Sequence, residues 1–94
     1  MIKFKIIENI VHNSVKKILK SKFDKIENLE NFIGIESEYE SIEIIQILSL
    51  IEEEIEDKGF QNYDLLEIVA NYETLTLEEL IRVILSKNDP KTTK

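Results

Sequence analysis

Cysteine is missing from this 94-residue chain, and histidine occurs once. Without cysteine there is no disulfide framework, no thiolate metal site and no thiol nucleophile, so redox chemistry leaves the compartment open. The lone histidine, His12, sits in a helical stretch with no recognisable nucleophile elbow beside it in sequence, which argues against a hydrolase or transferase and marks it as a surface residue. The acids do not follow the Asp-x-Asp-x-Asp-Gly spacing of a calcium loop. No apolar run approaches the ~20 residues of a membrane span, and the start Met1-Ile2-Lys3-Phe4-Lys5 lacks a signal-peptide core. The expectation is a soluble, cytoplasmic protein with no membrane span, and nothing in the sequence demands an oligomer.

Basic residues are also missing from the middle of the chain. Between Lys25 and Lys58 there are eleven acidic residues and no basic one, whereas residues 1 to 25 hold seven lysines and only Glu8 and Asp24; the formal net charge is −7. An acidic central face repels nucleic acid and attracts basic protein patches. At this length one small domain fits, with three or four helices around a modest core.

Phe4, Ile7, Val11, Val15 and Ile18, flanked by Ile10 and Leu19, recur every three or four residues and predict a first helix from about Ile2 to Lys20. Lysines near its end suit the negative end of the helix dipole. Residues 21 to 40 have no sustained period, but Phe23, Ile26, Leu29, Phe32 and Ile33 are too apolar for a free linker and must fold back on the core. Glycine is scarce, and each copy has a place: Gly34 in a turn, Gly59 as left-handed cap of a second helix running from Ser41 to about Lys58. Ile44 or Ile45, Leu48, Ile51 and Ile55 form that helix's buried stripe, widened by Ile42, Ile47 and Leu50. Glu43, Gln46, Glu53 and Asp57 then lie on or beside the opposite face, with Glu52 on its flank. Residues 64 to 70 read as a short third helix capped by Asn62 or Asp64. Thr76-Leu77-Glu78-Glu79 is a capping box opening a fourth helix that uses Leu77, Leu80, Ile81, Ile84 and Leu85. The domain is expected to span residues 1–87, with residues 88–94 as a frayed tail.

Ser41 carries the chemical interest. Glu40-Ser41-Ile42 opens the acidic second helix, and a serine there has an ordinary role as an N-cap. Yet Ile33-Gly34-Ile35-Glu36-Ser37-Glu38-Tyr39-Glu40-Ser41-Ile42 resembles the Leu-Gly-x-Asp-Ser-x-Leu-Asp-Ser-Leu lead-in of acyl carrier proteins, the phosphopantetheine-binding carrier family. The gap from Ser41 to Glu52 equals that family's gap from attachment serine to acidic stretch. The likeness covers roughly residues 30 to 87. Glu40 stands where the family has Asp, and Ile42 where it has Leu.

The resemblance implies an all-α, acyl-carrier-protein-like four-helix bundle: three longer helices, a short third helix and a long first loop. It implies 4'-phosphopantetheine, donated by coenzyme A through a phosphopantetheinyl transferase, on Ser41, with no catalysis by the chain itself. Acyl or aminoacyl groups would ride the arm as thioesters to enzymes of fatty-acid, polyketide or other specialised biosynthesis. Glu40, Ile42, Glu43, Gln46, Glu52 and Glu53 match positions that meet basic docking patches on such enzymes; Gln46 replaces the Glu of many fatty-acid carriers. Ser37 follows a shorter imitation of the motif, but Glu38 then occupies the place of an apolar residue. Ser49 has no assigned role. The rival reading is a helical adaptor of the same fold, without a prosthetic group, binding a basic partner through the acidic second helix.

Overall fold

Apolar residues spaced three and four apart organise the chain into four helices, seen in a computed structural model that describes residues 2–59 and 64–88. Helix α1 (Ile2–Leu19) ends where Lys20 turns to φ 55°, a left-handed conformation no helix can continue through. Lys16 and Lys17 lie in its last turn, beside the carbonyl end of the dipole. A 3₁₀ segment, Lys20–Lys25, follows. Then come strand β1 (Asn31–Ile33), helix α2 (Ser41–Asp57), the five-residue helix α3 (Leu65–Val69), strand β2 (Leu75–Thr76) and helix α4 (Leu77–Asn88). The expected order of long helix, long loop, long helix, short helix and helix is present.

The helix α1 face predicted from its period turns inward: Ile7, Ile10, Val11, Val15 and Leu19 are buried, while Phe4 and Ile18 pack at its margin. It meets Ile47, Leu48, Ile51 and Ile55 of α2 and Leu77, Leu80, Ile81 and Ile84 of α4 in one core. Leu65 and Val69 dock α3 on α2. Among the described residues no helix is long and apolar enough to cross a membrane.

The long first loop is tied down by the residues expected to anchor it. Phe32 is fully buried, and Phe23, Ile26, Leu29 and Ile33 pack against the core. One feature was not anticipated: β1 pairs antiparallel with β2, matching Asn31 to Thr76 and Ile33 to Leu75. Two or three residues per strand carry no alternation long enough to read, so the ladder comes from tertiary proximity. Gly34, at φ 139°, makes the turn that leaves β1, and a Cβ there would crowd Thr74 Cγ2 at 3.3 Å.

Helix starts are closed by acids, one of them distant in sequence. Glu30 accepts the Leu77 N–H at its carbonyl (3.0 Å) and the Glu78 N–H at Oε2 (2.7 Å), pinning the loop to the start of α4. The predicted capping box is there: Glu79 N–H donates to Thr76 Oγ1 at 3.1 Å and Thr76 N–H to Glu79 Oε1 at 2.9 Å. Asp64 caps α3 through Glu67 N–H at 3.3 Å; the alternative cap, Asn62, lies outside the described residues. Gly59, at φ 86°, follows the last turn of α2 as expected. Helix α4 continues to Asn88, the first residue of the expected tail, and the remainder of the C-terminal segment lies outside the described residues.

Candidate functional site

At the start of α2 the structure sorts the serines by what holds them. The Ser37 hydroxyl is half-buried and engaged twice: it donates to the Phe32 carbonyl at 2.7 Å and accepts the Tyr39 N–H at 3.1 Å. It fastens the loop just ahead of the helix. Tyr39 completes the fastening, its hydroxyl donating to the Leu29 carbonyl at 2.7 Å and its ring meeting Phe32 edge to face at 5.0 Å. Burial pushes the Tyr39 phenol well above its ordinary range, so it stays a donor.

Ser41 has no such ties. The N-cap is Glu40, in extended conformation, and Ser41 is the first helical residue, exposed, its hydroxyl making no hydrogen bond to a described residue. The helix begins at Ser41 as expected, and the ordinary capping role open to that serine is taken by Glu40. Glu40 and Glu43 form the capping box, in which Glu43 Oε1 takes the Glu40 N–H at 2.8 Å. The physical reason is the longer arm of Glu43, which reaches back one turn and places the cap one residue earlier.

Lys22, on the 3₁₀ segment, completes this corner. Its ammonium lies 2.9 Å from Glu43 Oε1 and 3.9 Å from Glu40 Oε2. The hydrogen bond to Glu43 holds Lys22 above its ordinary pKa of 10.5, with burial opposing. Burial works against ionisation of Glu43 too, but the Glu40 N–H and Lys22 outweigh it and set the carboxyl below its ordinary 4.5. Glu43 therefore stabilises the fold fully above 4.5, and that contribution fades as pH falls through its lowered folded value. The contribution of Lys22 is complete below 10.5 and fades as pH rises through its raised folded value. Replacing Lys22 by Met is expected to lower the urea midpoint at about pH 7, and the gap from wild type should shrink by about pH 3 as Glu43 protonates. A gap of unchanged size at the acid end would show that the pair contributes nothing.

Four apart along α2, Ser41, Ile45, Ser49 and Glu53 form one exposed strip, with Ile42 and Gln46 beside it. Ile42 is 57 % and Ile45 44 % exposed. Of the alternatives Ile44 or Ile45 for the buried stripe, Ile44 is the one that packs on the core, while Ile42, expected to widen the stripe, faces out; Ile44, Ile47 and Leu48 turn inward because the core lies on the other side of this first turn. Glu40 and Glu53 are exposed, Glu40 with its carboxylate in the capping box and 3.9 Å from the Lys22 ammonium. Glu43 and Glu52 are less exposed: Glu43 is folded onto Lys22, and Glu52 Oε2 accepts the Leu65 N–H at 2.8 Å, closing the start of α3. Glu43, expected on or beside the outer face, and Glu52, expected on its flank, are each recruited to an orphan N–H of a helix start. His12 and Ser49 are exposed. Among the described residues no group of three His, Cys, Asp or Glu is placed to hold a metal.

Sequence reasoning missed Lys22 and the exposure of Ile42, and left Ile44 or Ile45 open. Lys22 stands in a stretch without period, so nothing local places it. The exposure of Ile42 had a signal, since a helix this rich in isoleucine has more apolar positions than one buried stripe can take.

Comparison of the chain with protein-family models, with curated proteins and with solved structures finds no match in any of the three.

Proposed function

We propose that this chain is an acyl-carrier-type protein that bears 4'-phosphopantetheine on Ser41 and presents acyl or aminoacyl groups to partner enzymes of fatty-acid, polyketide or other specialised biosynthesis. The observation that carries this reading is the freedom of Ser41: an exposed hydroxyl at the first position of a 17-residue helix, relieved of capping by Glu40 and Glu43. A serine kept only to cap would be bonded, as Ser37 is.

The surroundings suit a phosphodiester at that oxygen. The Ser41 and Ile42 N–H groups, first in the helix, have no intrahelical acceptor and sit at the positive end of the dipole. Glu40 and Glu43 oppose an added negative charge, and Lys22 between them offsets that opposition. The group would supply a flexible arm ending in a thiol on which cargo is held as a thioester. The chain's own part is recognition: Ile42 and Ile45 offer apolar area beside the arm, while Glu40, Gln46 and Glu53 offer polar contacts to a basic patch. Weak, salt-sensitive contacts let a shuttle release each partner, and tethering raises the local concentration of cargo at the next active site.

Intact mass before and after incubation with coenzyme A and a broad-specificity phosphopantetheinyl transferase tests the proposal. A gain of one phosphopantetheinyl group is expected. No gain with several transferases would replace it by the rival reading, an unmodified helical adaptor that uses the same acidic helix on a basic partner.

A further inference from the structure

Among the described residues of this acidic chain, positive charge collects at a concave place built mainly from α1. Between α1 and the last turn of α2 lies a cleft of about 680 Å³. Ile6 and Ile10 give it apolar wall, and Asn9 and Asn13, four apart on α1, give it side-chain amides. Lys16 and Lys17 bound it from α1 and Lys58 from beyond α2, against a single acid, Glu54. Neither Lys17 nor Lys58 forms an ion pair with a described residue. Lys16 places its ammonium over the Phe23 ring, 5.9 Å from the centroid.

The second observation is Ser14. It lines the same cleft at 1 % exposure, and its Oγ is a buried side-chain polar atom with no hydrogen-bond partner. Buried hydroxyls are ordinarily satisfied, so an orphan beside a polar cleft marks where a missing partner belongs. Its neighbours on that face, Ile10, Val11 and Val15, are apolar, and packing alone asks only for another small apolar residue. Rotation of the serine about χ1 moves the hydroxyl between staggered positions without disturbing the backbone.

We propose that this α1–α2 cleft binds a small organic anion with a short apolar body, its charged head between Lys17 and Lys58 and its body against Ile6 and Ile10, with Ser14 and the asparagines donating to the head. Surplus cations without partners select the charge, and the isoleucines select the body. The site is independent of the reading of Ser41.

Titration of the unmodified full chain with hexyl phosphate and with hexanoate, followed by amide NMR, is the test. Saturable shifts centred on Asn9, Asn13, Ser14 and Lys17 are expected for at least one of the two. Lys17→Glu with Lys58→Glu should weaken that binding by about tenfold or more while leaving the circular dichroism unchanged. Ser14→Ala should weaken it several-fold although the variant is at least as stable as wild type. Shifts that rise linearly without saturating, or affinity unaffected by the paired charge reversal or by loss of the Ser14 hydroxyl, would overturn the proposal. So would retention on phosphatidylglycerol vesicles without a response to either soluble anion, which would assign the lysines to a membrane surface.

Discussion

Ser41→Ala is expected to abolish the mass gain on incubation with coenzyme A and transferase while leaving the fold as stable as before. The two halves of that result come from different links in the argument. Loss of the gain follows from chemistry, since a methyl group offers no oxygen to phosphorylate. Retained stability follows from structure: Ser41 is exposed, its hydroxyl makes no hydrogen bond to a described residue, and it is not the cap of α2. Sequence alone would assign the serine a capping contribution of about 1 kcal/mol. With the cap moved to Glu40, the substitution should stay within about 0.5 kcal/mol, and alanine's helix propensity favours the variant slightly. Ser37→Ala is the informative control, because its hydroxyl joins the Phe32 carbonyl to the Tyr39 N–H. That variant should accept the arm and lose stability. A mass gain persisting in Ser41→Ala and missing in Ser37→Ala would move the site to Ser37 and refute the reading of the exposed serine.

Phe32→Ala should produce the largest loss of stability of any single change in the first loop, about 3–5 kcal/mol. Phe32 is fully buried on β1, stacks edge to face with Tyr39, and bears the carbonyl that holds Ser37. Truncation leaves a cavity under the loop and removes the surface on which the Tyr39 ring rests. Small domains are stable by about 5–15 kcal/mol in total, so the variant should be partly unfolded at physiological temperature. The functional consequence is local as well: the loop from Phe32 to Tyr39 delivers Glu40 and Ser41 to the helix start. Urea midpoints with an unchanged slope would measure the loss. A loss below about 1 kcal/mol would mean that the loop is not anchored through this ring.

The two serines show how much of the site was legible in sequence. Ser41 was favoured over Ser37 because an apolar residue follows it and the helical period starts there, and the helix does begin at Ser41. What holds each hydroxyl was not legible, because the partners of Ser37 include a carbonyl five residues back whose approach depends on the Gly34 turn. The acids divide in the same way. Their clustering on α2 is plain from the sequence, but whether a given carboxylate faces solvent or serves a helix start depends on which N–H groups the fold brings near. Glu30 reaching Glu78, 48 residues away, has no local signature at all.

The sequence by itself determined the four helices, their order and most of their buried faces. Helical period is a local property: side chains three and four apart share a face whatever lies opposite. It also determined the capping box at Thr76 and Glu79, since both partners lie within one turn. Only the tertiary structure decided the β1–β2 pairing, the placing of Lys22 between Glu40 and Glu43, the exposure of Ile42 and Ile45, and the unpartnered Ser14 beside a cationic cleft. Each of these depends on segments distant in sequence meeting at a particular distance and angle. That relation is set by how the helices pack and by where an aperiodic loop is pinned, which no local pattern encodes.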